Sequence, residues 1–194
     1  MKVILASTSP RRQELLARIV DDFTVCPADI DESVQQDESA HNYVMRMATD
    51  KAQKIAQAFH ITDGVVIGAD TIGVLDDDIL TKPTDKAHAF AMWDKLSHRT
   101  HHIWTAVCVV MVKDGKIHHQ KTIKVSTDVT FIQLTDHQKQ QYWQTGEPTD
   151  KAGAYAIQGG AMAWVRAING SYTNVIGLPL AEMAELLDEC LMLF

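Results

Sequence analysis

The first elements of the fold are encoded near the N-terminus by the stretch Val3-Ile4-Leu5-Ala6-Ser7-Thr8-Ser9-Pro10-Arg11-Arg12. Its first four residues form a continuous apolar run, which predicts a buried strand. Ser9 is a preferred helix N-cap, and Pro10 suits the first helical position because the N–H that it lacks has no partner there. We therefore predict a strand, a polar loop and a helix N-terminus, whose unpaired backbone N–H groups suit an anion.

Two arginines, Arg11 and Arg12, fall in the first turn of this helix. The helix dipole favours cations at the opposite end, so their position needs a reason. An anion bound between the arginines and the backbone would explain them. A solvated pair on an exposed helix face would also explain them, and both interpretations stay open.

A second apolar run, Val65-Val66-Ile67, leads into Gly68-Ala69-Asp70-Thr71. It predicts another buried strand, ending at Gly68-Ala69-Asp70. Asp70 would then lie at the carboxyl end of a strand, where α/β sheets bind their ligands, and Thr71 would add a hydroxyl there. The alternative is that Asp70 only caps a turn.

The remaining pattern mixes helices and hairpins. Apolar spacing predicts a long helix from Ser39 through Phe59 and a last helix from Leu180 to about Leu193. Asp114-Gly115 predicts a hairpin turn between two long strands. Ala161 to Ile168 reads as a strand, followed by a second hairpin turn at Asn169-Gly170. This order predicts an α/β fold with a mixed sheet.

The composition is that of an ordinary globular protein, with 46% hydrophobic and 22% charged residues in a chain of 194. It excludes a disordered tail, a collagen-like fibre and a low-complexity linker. The length favours one domain over residues 1–194, or at most two small lobes. The net charge of −7, from 18 Lys and Arg against 25 Asp and Glu, disfavours nucleic-acid and anionic-membrane partners.

Cysteine use and hydropathy point to a cytoplasmic location. Cys26, Cys108 and Cys190 are far apart and form no C-x-x-C pair, which favours a reducing compartment. The N-terminus lacks the pattern of a signal peptide. The most apolar stretch, Trp104 to Val112, has about half the length that a membrane span needs.

Acids and cations outside these strands suggest phosphate chemistry. Lys82 precedes a helix, Lys151 opens a glycine-rich loop, and Asp31 and Glu32 lie in an acidic stretch. Metal-assisted phosphate chemistry needs acids that hold a metal or water and cations that neutralise phosphate oxygens. A histidine metal site is not expected, because His101 and His102 would point to opposite faces of a strand and no H-E-x-x-H is present.

Taken in chain order, the motifs resemble those of the Maf family of nucleoside triphosphate pyrophosphatases, historically called septum formation inhibitors. The matching motifs are Leu5-Ala6-Ser7-Thr8-Ser9-Pro10-Arg11-Arg12-Gln13-Glu14-Leu15-Leu16, Asp31-Glu32, Lys51-Ala52, Gly68-Ala69-Asp70-Thr71, Lys82-Pro83, Leu96-Ser97, Thr105-Ala106-Val107, Asp150-Lys151-Ala152-Gly153-Ala154-Tyr155, Gly170-Ser171-Tyr172 and Val175-Ile176-Gly177-Leu178-Pro179-Leu180. They extend over nearly the whole chain, and their order is more specific than any single motif.

This resemblance implies a mixed twisted sheet with flanking helices and two lobes around a cleft, similar to the inosine triphosphate pyrophosphatase fold. It implies that a nucleoside triphosphate is hydrolysed to the monophosphate and pyrophosphate, by attack at the α-phosphorus. A divalent metal cation (Mg²⁺, Mn²⁺ or Co²⁺) is implied as cofactor. Relatives also suggest a homodimer.

The resemblance also suggests a role for each site residue. Asp70 would be the catalytic base or the carboxylate that holds the metal, and Glu32 a further metal or water ligand. The expected triphosphate contacts are Ser7, Arg12, Lys51, Lys82 and Lys151. Arg11, Thr71 and Gln158 would read the edge of the base.

The three base-reading residues are typical of the dTTP/UTP pyrophosphatase subgroup. A 7-methyl-GTP subgroup has Trp after the proline, S-D-Q at the acid and Glu in place of Gln158. One departure is Ala156, where many relatives have Gly. The alternatives are a 7-methyl-GTP pyrophosphatase and a non-catalytic, nucleotide-sensing regulator of septation; a bare carboxylate at Asp70 argues against a pure binder of a polyanion.

Overall fold

The structure is a computed structural model that describes residues 2–58 and 61–193, without the side chains of residues 150 and 191. Seven strands lie in the described residues. They are β1 (Lys2–Leu5), β2 (Thr24–Val25), β3 (Gly64–Leu75), β4 (Asp78–Leu80), β5 (Thr100–Lys113), β6 (Lys116–Phe131) and β7 (Val165–Asn169).

Helices separate most of these strands. The α-helices are α1 (Pro10–Leu16), α2 (Ala40–Ala58), α3 (Lys86–Leu96), α4 (Asp136–Gln144), α5 (Tyr172–Ile176) and α6 (Leu180–Leu191), with short 3-10 helices at Glu147–Asp150, Ala152–Ala154 and Gly160–Trp164. The predicted end of the long helix, Phe59, lies outside the described residues. No helix in the described ranges is both long and apolar enough to cross a membrane.

The strands form one mixed sheet in the order β2-β1-β3-β5-β6-β7, with β4 paired to β3 outside this path. β1 pairs in parallel with β2 and β3, whereas β3–β4 and β6–β7 are antiparallel. The predicted mixed α/β fold is therefore confirmed. Asp114 and Gly115 form the predicted turn between β5 and β6. Both have positive φ angles (51° and 72°), as a type I′ turn requires.

The strand that carries Asp70 is longer than its sequence predicted. β3 does not end at Gly68-Ala69-Asp70 but continues to Leu75, because Ile72 to Leu75 are also buried. Its pairing with the parallel strand β1 stops at Ile67, which faces Leu5, and its pairing with the antiparallel strand β4 starts only at Gly73, which faces Leu80. Asp70 and Thr71 therefore lie in the gap between two partners, in the middle of a strand.

The segment after the glycine-rich loop also differs from its prediction. Ala161 to Trp164 belongs to a 3-10 helix, and only Val165–Asn169 is a strand. A short apolar run does not separate these alternatives by itself, because both bury apolar side chains. No hairpin follows Asn169-Gly170; the Ser171 hydroxyl accepts the Asn174 N–H (3.2 Å) and starts α5 instead.

The chain divides into two compact units, the first comprising Met1–Thr71, Thr105–Val125 and Gly177–Phe194, and the second Ile72–Trp104 and Ser126–Ile176. In unit 1, α2 turns one face inward. Its buried residues are Ala40, Val44, Met47, Ala48, Lys51, Ala52, Ile55 and Ala56. This three-and-four spacing is that of a helix packed on a core, and Lys51 is its one charged member.

Close contact between α2 and β3 depends on Gly68. A Cβ there would lie 2.3 Å from the Ala48 carbonyl oxygen and 2.7 Å from the Ala52 amide nitrogen. Real Cβ atoms do not approach backbone that closely, so any larger residue would push the helix away from the strand.

The core of unit 2 is aromatic. Trp93, Phe131, Tyr142, Tyr155 and Trp164 are all buried, with ring centroids 5.2 Å apart for Trp93–Trp164 and 4.9 Å for Phe131–Tyr155. The tilted and edge-on geometries are those that aromatic pairs prefer. Fully buried His101 joins this cluster, with its Nε2 2.7 Å from the Tyr155 hydroxyl.

Gly68→Ala should destabilise the protein by more than about 2 kcal/mol, because a methyl group would clash with helix backbone. Gly73→Ala is the matched control on the same strand, since its Cβ would meet only the movable Leu80 side chain, at 3.0 Å. Urea unfolding measures both free energies of unfolding. Equal losses in the two variants would show that α2 is not held close to β3 at Gly68.

Low pH should lower the free energy of unfolding, because His101 is buried in the aromatic core of unit 2. Burial lowers the pKa of His101 from 6.5 to about 3. The unfolded state therefore binds the extra proton at intermediate pH, and stability present above pH 6.5 is lost as the pH falls towards 3. Between pH 7 and pH 5 this group should cost about 2 kcal/mol of unfolding free energy.

Urea unfolding at both pH values checks this with two variants. His101→Gln should flatten the pH dependence, while His41→Gln, at an exposed position, should keep that of the wild type. If His101→Gln retained the full wild-type slope, another group would be responsible for the acid sensitivity.

Candidate active site

Asp70 and Lys51 meet at the contact between β3 and α2. The Lys51 Nζ lies 2.7 Å from the Asp70 Oδ1. Gly68 and Asp70 point to the same face of β3, since side chains alternate along a strand. The close approach at Gly68 therefore brings the α2 lysine to the carboxylate two residues further on.

Glu32 completes this group from the loop before α2. Its Oε1 lies 2.7 Å from the same Lys51 Nζ. The Lys51 and Asp70 side chains are 10% and 14% exposed, whereas Glu32 is 53% exposed. One nearly buried ammonium thus holds two carboxylates together, and the outer one faces solvent. We call these three residues the carboxylate–lysine centre.

Arg12 is held from the opposite face of β3, by α1. Its Nε donates to the Gly177 carbonyl (2.9 Å), its Nη1 to the Ser7 hydroxyl (3.4 Å) and its Nη2 to the Thr71 hydroxyl (3.0 Å). Burial lowers the pKa of Arg12, and the Asp70 charge opposes that shift. The guanidinium is thus fixed in direction within the electric field of Asp70.

The predicted strand, loop and helix at the N-terminus are confirmed. Ser9 is the N-cap of α1, and Pro10 occupies its first turn. Ser7 is buried, and its hydroxyl accepts both the Ser9 N–H (3.2 Å) and Arg12. The two arginines differ, because Arg11 is exposed and Arg12 is only partly so.

Thr71 is engaged within unit 1. Its hydroxyl accepts from Arg12 and lies 3.0 Å from the hydroxyl of the fully buried Thr105. Thr71 therefore orients Arg12. Its predicted contact with a nucleotide base stays a prediction.

Unit 2 carries the other predicted site residues. The Gly153 N–H donates to the Thr81 carbonyl (3.0 Å), which holds the segment after Lys151 beside the segment of Lys82. The Lys151 Nζ donates to the Glu147 carbonyl (3.1 Å), and Lys82 and Gln158 are exposed. Roles for these three side chains in binding stay predictions.

Glycines in that loop serve packing within unit 2. A Cβ at Gly159 would lie 1.8 Å from the Glu147 Oε1, and one at Gly160 would lie 2.9 Å from Tyr142. The Glu147 carboxylate accepts the Gly160 N–H (2.9 Å). These contacts explain two of the glycines in the glycine-rich loop.

Sequence reasoning missed the residues that hold the Glu32 loop. The Tyr43 hydroxyl donates to the Glu32 carbonyl, and an Arg46 Nη2 donates to the Ser33 carbonyl, both at 2.9 Å. Burial raises the pKa of Tyr43 to about 12, so it remains a donor. The usable signal was Lys51, a charged residue on the apolar face of a helix, which marks that face as more than core.

The described residues contain no group of three or more His, Cys, Asp or Glu arranged to hold a metal ion. His101 is buried and His102 exposed, as the strand alternation predicted. Glu32 and Asp70 nevertheless converge on one cation. Mg²⁺ is commonly held by one or two carboxylates together with substrate phosphates, and this pair fits such a site.

A family model described as Maf-like protein matches residues 2–190, and the chain belongs to the Maf family. It is 45% identical to the dTTP/UTP pyrophosphatase of Vibrio parahaemolyticus, with 98% of each chain covered. It is 49% identical to that of Shigella dysenteriae, over 95% of this chain and 90% of the relative. A dITP/XTP pyrophosphatase structure from Mycobacterium abscessus aligns with a TM-score of 0.47 at 14% identity, over 69% of this chain and 76% of the other.

Thr71→Val should lower the free energy of unfolding by about 1–3 kcal/mol, because Arg12 and Thr105 each lose a hydrogen-bonding partner. Thr71→Ser keeps the hydroxyl and should stay close to wild type. Urea unfolding of the two variants measures the difference. Equal stabilities for Val and Ser would show that the hydroxyl does not orient Arg12.

Proposed function

We propose that this protein hydrolyses pyrimidine nucleoside triphosphates, dTTP and UTP among them, to the monophosphate and pyrophosphate. The observation that carries the proposal is the carboxylate–lysine centre, with an oriented arginine in the field of Asp70. Acids next to fixed cations are the groups that phosphoryl chemistry requires. The whole chain, residues 1–194, is proposed as one pyrophosphatase domain.

Two further observations support the choice of substrate. Relatives over nearly the full length are named dTTP/UTP pyrophosphatases. Arg11, Thr71 and Gln158 are the residues typical of that subgroup, and Arg11 and Gln158 are exposed. A long donor and an amide suit the small, polar edge of a pyrimidine.

We propose that Glu32 and Asp70 hold a divalent cation, Mg²⁺, Mn²⁺ or Co²⁺. When bound, such an ion supplies positive charge that offsets the charge of the phosphate oxygens. The two carboxylates already share one cation, so a second positive charge would be favoured electrostatically. The homodimer and the cytoplasmic location stay predictions.

Three charged residues of unit 1, Asp70, Lys51 and Arg12, have different roles in the proposed reaction. Asp70 accepts the proton of the attacking water at a carboxylate oxygen, and Lys51 holds that carboxylate in place. Arg12 directs its guanidinium at the phosphate oxygens, because Ser7, Thr71 and Gly177 fix its orientation. Lys51 and Arg12 together offset charge that develops on the leaving pyrophosphate.

Pyrophosphate release from a panel of nucleoside triphosphates with Mg²⁺, Mn²⁺ or Co²⁺ tests the function. We expect dTTP and UTP to have higher kcat/KM than 7-methyl-GTP. Preference for 7-methyl-GTP would contradict the base-reading assignment but keep the reaction. Nucleotide binding without turnover would instead support a sensor.

Asp70→Asn should lower kcat by roughly 10²–10⁴-fold, since it keeps the shape and removes the base. The fold should persist, because Asp70 is partly exposed. Asp22→Asn makes the same chemical change at an exposed position and should leave the rate unchanged. Steady-state kinetics with dTTP measures kcat for both variants. An Asp70→Asn enzyme with more than half the wild-type rate would refute the role of Asp70 as the base.

A further inference from the structure

Glu32 reaches the carboxylate–lysine centre from a segment without regular structure. Residues 26–39 form neither strand nor helix, and the Glu32 side chain is half exposed. An unsupported loop would lose conformational entropy each time Glu32 met Lys51. Something outside the loop's own backbone must therefore hold it.

Two side chains of α2 hold this loop by its main chain. Tyr43 donates to the carbonyl of Glu32, and Arg46 donates to the carbonyl of the next residue, Ser33. Positions 43 and 46 are neighbours on one side of a helix. The same helix carries Lys51. One helix therefore positions both the carbonyl groups of Glu32 and Ser33 and the ammonium that the Glu32 carboxylate contacts.

Arg46 is itself fixed by a bidentate ion pair with Glu38. Its Nε and Nη2 lie 2.6 and 2.7 Å from the two Glu38 carboxylate oxygens. Glu38 is at the far end of the loop, its side chain is only 7% exposed, and it also accepts the Gln35 N–H (3.0 Å). The guanidinium lies 5.6 Å from the Tyr43 ring centroid, within cation–π range. The pair lowers the pKa of Glu38 and raises that of Arg46.

We propose that Arg46 is a positioning residue, which spans the loop from Glu38 to Ser33 and thereby places the Glu32 carboxylate beside Lys51 and Asp70. Arg46 touches neither Asp70 nor Lys51 in any contact described above, so it acts through Glu32. This inference rests on the proposed function for its kinetic consequence. The ordering of the loop does not depend on that function.

A double-mutant cycle on Arg46→Gln and Glu32→Gln tests the proposal. Loss of a residue that orients a ligand typically costs about 10–100-fold, and we expect Arg46→Gln to lower kcat/KM for dTTP by that factor. In the Glu32→Gln background the same change should cost less than about twofold, because the residue through which Arg46 acts is already gone. An equal loss in both backgrounds would overturn the proposal.

Binding of Mn²⁺ alone, followed by electron paramagnetic resonance without nucleotide, gives a readout separate from turnover. Arg46→Gln should weaken this binding about tenfold, as Glu32→Gln should. Arg46→Lys keeps the positive charge but cannot form the bidentate ion pair with Glu38. Its Mn²⁺ affinity should lie between those of wild type and Arg46→Gln. Lys54→Gln is the matched control, an exposed cation on the same helix, and should bind like wild type. Wild-type Mn²⁺ affinity in Arg46→Gln would contradict the proposal.

Amide hydrogen exchange separates this inference from the proposed function. The Ser33 N–H donates to the Asp31 carboxylate, and the Gln35 N–H to Glu38. Both amides should exchange at least about tenfold faster in Arg46→Gln and unchanged in Lys54→Gln. Should wild type hydrolyse no triphosphate, the function would fail while this result still supported the positioning role. Unchanged exchange in Arg46→Gln would overturn the role even in an active enzyme.

Discussion

The close approach of α2 to β3 at Gly68 is the constraint on which the candidate site depends. A helix and a strand that touch backbone to backbone bring Lys51 of the helix to Asp70 of the strand. A nearly buried ammonium is costly unless it is paired, and here it is paired twice. Packing thus dictates a cation between two carboxylates, and the local chemistry follows from that placement.

Asp70 and Arg12 lie on opposite faces of β3. Asp70 faces α2, whereas Thr71, one residue later, faces α1 and orients Arg12. The parallel pairing of β3 with β1 ends at Ile67, before these two positions. The two helices each deliver a cation to this stretch of β3, Lys51 from α2 and Arg12 from α1, and each cation is fixed by its own hydrogen bonds.

Local signals predicted local features well. Ser9 with Pro10 predicted the start of α1, and Asp114-Gly115 predicted a turn. Tertiary contacts could not be predicted from local signals: Gly159 is a glycine because Glu147 fills its Cβ position. Arg46 went unnoticed because an arginine on a helix normally reads as a solvated surface residue.

We propose that the carboxylate–lysine centre directs water to the α-phosphorus of a triphosphate. Hydrolysis of dTTP in water enriched in ¹⁸O, analysed by mass spectrometry of the products, tests it directly. We expect the heavy oxygen in the monophosphate and none in the pyrophosphate. Heavy oxygen in pyrophosphate, or in inorganic phosphate alongside a diphosphate product, would contradict it.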